Sequence, residues 1–158
     1  MRALLAASCL TLMVACSGGS SSPAPTALDT ADYKGRWLVV NYWAQWCKPC
    51  IKEIPELNAL DAKYPQVAVL GVNFDGITGP ELEAQKEKLG IGFTVLEQDP
   101  SGVLGVAIPS VLPATFILNP DGQLVHSLVG PQTLESLALA TGQVGIIDQE
   151  TSSDLAPE

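Results

Sequence analysis

Positive charge is scarce in this chain: 8 Lys and Arg face 17 Asp and Glu in 158 residues, a formal net charge of −9. That balance repels phosphate backbones and anionic lipid headgroups, and it argues against nucleic acid as a partner. Histidine is scarcer still, with His126 alone, and cysteine occurs only four times. The apolar run at residues 3–15 falls short of the ~20 residues a helix needs to cross a bilayer. What is present is core-forming material. Hydrophobic residues make up 47% of the chain and charged ones 16%, which fits one packed domain and excludes wholesale disorder. A domain of this size buries roughly two-thirds of its unfolded surface and needs no structural disulfides.

The N-terminus reads as an address. Met1-Arg2 provides a positive start, residues 3–15 suit the apolar core of a signal peptide, and Cys16 stands where the sequence turns Gly/Ser-rich. Leu12-Met13-Val14-Ala15-Cys16 resembles the bacterial lipoprotein signal, although Met13 stands where that pattern prefers Leu. The resemblance implies cleavage after residue 15, lipid on Cys16, and a mature charge of −10 once Arg2 is gone. The alternative is an ordinary secretory signal with a chance cysteine. On the lipoprotein reading Cys9 leaves with the signal, and Cys47 and Cys50 are the only thiols left to pair. A disulfide between them closes too small a loop to constrain the unfolded chain much, so its purpose would be chemical.

The expected organisation is a signal at 1–15, a tether at 16–27 stiffened by Pro23 and Pro25, a domain at 28–142 and an acidic, unstructured tail at 143–158. Residues 37–42 and 67–74 are nearly continuous apolar runs, as in strands covered on both faces. Between them, Ile51, Ile54, Leu57 and Leu60 recur at helical spacing as far as Tyr64-Pro65. Residues 80–89 predict a surface helix, with Glu81 and Glu83 early, Lys86 and Lys88 late, and Gly90 as its stop. A short strand at 92–96 and a helical turn at 101–106 follow. Segments 114–118 and 123–128 flank Asn119-Pro120-Asp121-Gly122 as a hairpin, and 133–141 closes the domain as a helix capped at Thr133 or just before it. This order predicts an α/β fold, with the first strands parallel and helices on both faces.

Cys47 follows a buried strand and opens a helix, where unpaired N–H groups and the macrodipole favour a thiolate; Cys50 lies one turn further in. This suits a nucleophile and a resolving thiol. Half a zinc site or a structural bridge has the same spacing, but a tetrahedral zinc needs four ligands and the mature chain adds only His126. No metal and no cofactor are expected. His126 is expected to be a surface strand residue, Trp43 core, Lys48 a screened positive charge, and Asp75 and Asp99 solvated turn residues.

The segment Asn41-Tyr-Trp-Ala-Gln-Trp-Cys-Lys-Pro-Cys50 resembles the active-site segment of thioredoxins, in particular the exported TlpA/ResA-like branch. Pro55 matches the proline inside that family's active-site helix, Leu112-Pro113-Ala114-Thr115-Phe116 its cis-proline loop, and residues 119–122 its hairpin. The resemblance implies a thioredoxin-like three-layer fold with a central mixed sheet. It also implies thiol–disulfide exchange through Cys47 and Cys50, with Trp46, Leu112 and Pro113 meeting the partner. Asn41 stands where cytosolic thioredoxins carry a buried Asp and cannot serve as a base; Glu53 matches the acid that the exported branch carries near its disulfide. A carboxylate buried beside thiols has a raised pKa, suiting proton exchange, whereas a solvent-facing helix glutamate has no such role. The partners implied are an exported protein with a disulfide or dithiol, a membrane electron donor or acceptor, and the envelope membrane through lipid. The resemblance implies a reductase of exported cysteines, cytochrome c maturation being one such role, with a dithiol oxidase or an inert binding module as the alternatives; a peroxidase would need an arginine at its cysteine, and the mature chain has only Arg36.

Overall fold

Alternation of side chains along β1 (Trp37–Trp43) divides the molecule into two cores. Val39 and Trp43 face one side, and Leu38, Val40 and Tyr42 face the other. The structure, a computed structural model, describes residues 28–144. The expected signal at 1–15, Cys16, the tether to residue 27 and the tail from residue 145 lie outside the described residues.

After β1 come α1 (Lys48–Lys63), β2 (Val67–Asn73), α2 (Gly79–Leu89), β3 (Thr94–Leu96), α3 (Ser101–Leu104), β4 (Ala114–Leu118), β5 (Leu124–Val129) and α4 (Leu134–Ala140). The sheet order is β3-β2-β1-β4-β5. β1, β2 and β3 are parallel, while β4 runs antiparallel to β1 and β5 antiparallel to β4. The central mixed sheet and the element order agree with the expectation. One addition precedes β1: a 3-10 turn at Thr30–Tyr33, started by Asp29, whose side chain accepts the Ala31 N–H.

Helices cover both faces, but unequally. On the first face Ile54, Leu57 and Leu60 of α1, Leu82 of α2, and Leu137 and Ala138 of α4 pack over β1, β2 and Ile117 of β4. On the second, Leu28, Tyr33, Leu104 and Val106 supply much of the cover. Both faces being buried explains why β1 and β2 read as apolar runs without polar alternation.

The helix ends follow local chemistry. Gly90 stops α2 in the left-handed region at φ 69°, and its N–H and that of Ile91 take up the last carbonyls. Thr133 caps α4 through a reciprocal pair with Ser136, so α4 itself begins at Leu134 rather than 133. Gln143 and Val144 remain engaged past the expected boundary at 142: Gln143 N–H reaches Ala138 O, and Val144 packs on the first core. Among the described residues no helix is long and apolar enough to cross a membrane.

Candidate active site

The site lies where β1 runs into α1. Cys47 is the N-cap of α1, in extended conformation, and its Sγ accepts the Cys50 N–H at 3.2 Å. Pro49 in the first turn loses nothing there, because first-turn N–H groups have no helical acceptor. Cys47 and Cys50 are joined as a disulfide, with Cα atoms 5.3 Å apart. Both are buried, at 4% exposure for the capping residue Cys47 and 1% for Cys50. Upon reduction, a negative Cys47 sulfur at this position gains from the N–H groups and dipole of α1.

Glu53 lies on the same buried face of α1, three residues after Cys50, a spacing that separates Cβ atoms by about 5–6 Å. It is 1% exposed and therefore is not a solvent-facing helix residue. Its carboxylate has two donors. Gln132 N–H, in the loop before α4, reaches Oε1 at 2.9 Å, and Asn41 Nδ2 of β1 reaches Oε2 at 3.1 Å. Burial pushes the Glu53 carboxyl up to about 7, against the two N–H donors that favour its charged form. One turn further on, Glu56 Oε2 accepts the Leu134 N–H at the start of α4. Glu53 and Glu56 thus tie α1 to α4 and the loop before it.

The loop before β4 closes the site from another side. The Leu112–Pro113 peptide bond is cis, as the resemblance implied. Leu112 packs against the core cluster that contains both cysteines, and Pro113 O accepts Gly130 N–H at 2.9 Å. Trp46 stands beside this assembly at 63% exposure. Its indole N–H donates to both Asp75 carboxylate oxygens, at 3.0 and 3.2 Å, and its ring meets Phe74 edge-on. Asp75 is set in turn by Asn73 Oδ1, which accepts the N–H groups of Asp75 and Ile77.

The expected residues Cys47, Cys50, Glu53, Trp46, Leu112 and Pro113 therefore surround one end of the sheet, whereas Cys16 lies outside the described residues. Three contributors were not legible in the sequence: Thr115, which accepts from Asn41; the Gln132 backbone; and Asp75, which fixes Trp46 although it read as a plain turn residue. Asp99 likewise does more than shape a turn, accepting from the Tyr42 hydroxyl at 3.0 Å. The one signal available was a polar residue inside an apolar run, as for Asn41 and Thr115. His126 is exposed on β5, and among the described residues no three His, Cys, Asp or Glu side chains gather as metal ligands. Arg36 donates to Val67 O at the first residue of β2, the end of the sheet remote from Cys47.

Comparison with known proteins bears on this arrangement. The thiol-disulfide oxidoreductase ResA of Bacillus thuringiensis (strain Al Hakam) is 31% identical over 112 residues, covering 70% of this chain and 64% of that protein. The chain thus spans less than two-thirds of that relative's length. Two crystal structures share the fold. A DsbF homologue from Corynebacterium diphtheriae is 21% identical, with a TM-score of 0.64 over 85% of this chain and 99% of that one. StoA from Bacillus subtilis is 24% identical, with a TM-score of 0.56 over 68% and 83%. The AhpC/TSA family model matches residues 23–127. That match, on this sheet and with this strand-to-helix cysteine pair, identifies the chain as a member of the thioredoxin-like AhpC/TSA family.

Proposed function

We propose that this protein is a thiol–disulfide oxidoreductase that reduces disulfides in exported proteins, cytochrome c maturation being one such setting. The observation that carries the reading is the Cys47–Cys50 disulfide in the first turn of α1, with a buried carboxylate one turn further along. In the reduced protein, the Cys47 thiolate attacks one sulfur of the partner's disulfide. That bond breaks, a mixed disulfide forms on Cys47, and the released partner sulfur takes a proton. Cys50 then gives its proton to Glu53 and attacks Cys47 Sγ, restoring the internal disulfide. The partner leaves with two thiols, having received two electrons. A dithiol donor at the membrane returns the pair to the reduced state.

Trp46 offers a flat apolar surface beside Cys47, and Leu112 and Pro113 offer backbone on which an extended partner segment can lie. The ResA relative is named for the same activity. A peroxidase is disfavoured because Arg36 is committed to Val67 O, away from the cysteines. An envelope setting with lipid on Cys16 fits one further feature. Residues 30–34, the first turn after the tether, line a cleft with hairpin residues 119–122 at the start of β1, opposite the disulfide. Attachment from the N-terminal side is compatible with that placement of residues 30–34.

The test is a trap. Cys50→Ala should accumulate mixed disulfides on Cys47 when offered disulfide-bonded exported proteins, and a reductant should release them. Cys47→Ala should accumulate none. If both variants capture equally little, the exchange reading is wrong.

A further inference from the structure

Asn41 lies between two strands with unequal neighbours. On the β2 side its register partner is Gly71, which offers no side chain; on the β4 side it is Thr115. Directly opposed residues of an antiparallel pair bring their Cβ atoms within about 4.5–5.5 Å, so even a short hydroxyl can reach the amide. The contact is made: Asn41 Nδ2 stands 3.0 Å from Thr115 Oγ1 and 3.1 Å from Glu53 Oε2. All three residues are buried, at 1%, 0% and 1% exposure for Asn41, Thr115 and Glu53.

The donor inventory fixes the direction of this chain. An ionised carboxylate only accepts, so Asn41 must turn its NH2 towards Glu53, and that group has a second hydrogen to place. In a buried site an unplaced N–H is penalised, and Thr115 Oγ1 receives it. The orientation of the amide thus depends on a hydroxyl 74 residues away in the chain.

We propose that Thr115, acting through Asn41, is a positioning residue for Glu53, holding the amide so that it donates to the carboxylate at the redox site. This rests on the role of Glu53 proposed above and extends it to a residue that touches neither the cysteines' partner nor the reacting sulfurs. The groups meeting Glu53 from other elements are Asn41 of β1 and the Gln132 backbone before α4, neither of which is ionisable. On α1 itself the titratable neighbours are Cys50 one turn before and Glu56 one turn after, the latter bound to Leu134 N–H. Removing the Thr115 hydroxyl weakens the donor to Oε2 and so favours the protonated form of Glu53.

The experiment follows the Glu53 carboxyl carbon by NMR across pH in the oxidised protein, alongside the pH profile of disulfide exchange in the reduced protein. Thr115→Val should move the Glu53 midpoint upward by about one pH unit, tenfold in proton affinity, and carry the exchange profile with it. Thr115→Ser keeps the hydroxyl and should leave both in place. Thr115→Ala also removes the hydroxyl, and carries the same expectation should the valine variant fail to fold. A Glu53 midpoint unmoved in a folded Thr115→Val or Thr115→Ala protein overturns the proposal. A midpoint that moves while the exchange profile stays fixed overturns instead the role of Glu53 in exchange, and with it the purpose assigned to Thr115.

Discussion

At the residue scale the site is an arrangement of few atoms: two sulfurs, one carboxylate and the donors that hold it. Glu53 has a strong effect because it is buried, and burial makes its proton affinity a property of the fold. In the unfolded chain it titrates near 4.5 and in the folded protein near 7. Between these values the folded state keeps a proton that the unfolded state has lost. Stability should therefore fall as pH rises from about 4.5 to about 7, by on the order of 3 kcal/mol from this group. Oxidised Glu53→Gln should lack that decline, which denaturant unfolding at several pH values measures as a difference between the two proteins. The same variant should lose the step near pH 7 in the exchange rate and run at least tenfold slower above it. Retention of both pH dependences would reduce Glu53 to a tie between α1 and α4. The sequence made the identity of this acid legible, but not its donors. Asn41 was singled out by its place in the motif, but its meeting with Thr115 depends on the register of β1 against β4, which no local pattern encodes. Gln132 contributes through its backbone, for which side-chain identity gives no signal.

At the element scale, the strand-to-helix turn proposed to carry the chemistry is held in place because β1 is paired on both sides. Its packing has little slack. A Cβ built on Gly71 would lie 2.8 Å from Phe93 Cε2, 3.0 Å from Trp43 Nε1 and 3.1 Å from Val95 Cγ2. The missing side chain makes room for the Trp43 indole, which packs in the same core cluster as Cys47. Gly71→Ala should therefore destabilise the protein by about 1–3 kcal/mol through overpacking, as read from the midpoint of chemical unfolding. An unchanged midpoint would mean that the ring and Phe93 can shift freely. The elements themselves were largely legible, because apolar runs, prolines near helix starts and Gly90 are local signals. The turn at Thr30–Tyr33 was missed because four residues after a cap are too few to carry a periodicity. The ends of α4 differed because Thr133 and Thr141 serve as its caps and not as its first and last turns.

At the scale of the whole molecule, the two ends of the sheet are separated by function. The disulfide, Glu53, Trp46 and the Leu112–Pro113 loop gather at the end where β1 finishes. At the other end, where β1 starts, Gly35 N–H bonds to Pro120 O, and a Cβ built on Gly142 would lie 3.7 Å from Trp37 Cζ2. Seven residues of strand put roughly 20 Å between those ends. This polarity suits a protein held at one end and exchanging at the other. It follows from topology: the order of elements predicted the parallel first strands, and the family likeness alone implied the mixed sheet. Whether the Cys47–Cys50 pair cycles can be read from its thiols. The oxidised protein is reduced with a small dithiol, freed of it, and offered a disulfide-bonded peptide while free thiols are trapped and counted. Both thiols of the pair should appear upon reduction and be lost from the protein as two appear on the peptide. A disulfide that resists the reductant, or thiols that persist unchanged beside the peptide, would contradict cycling.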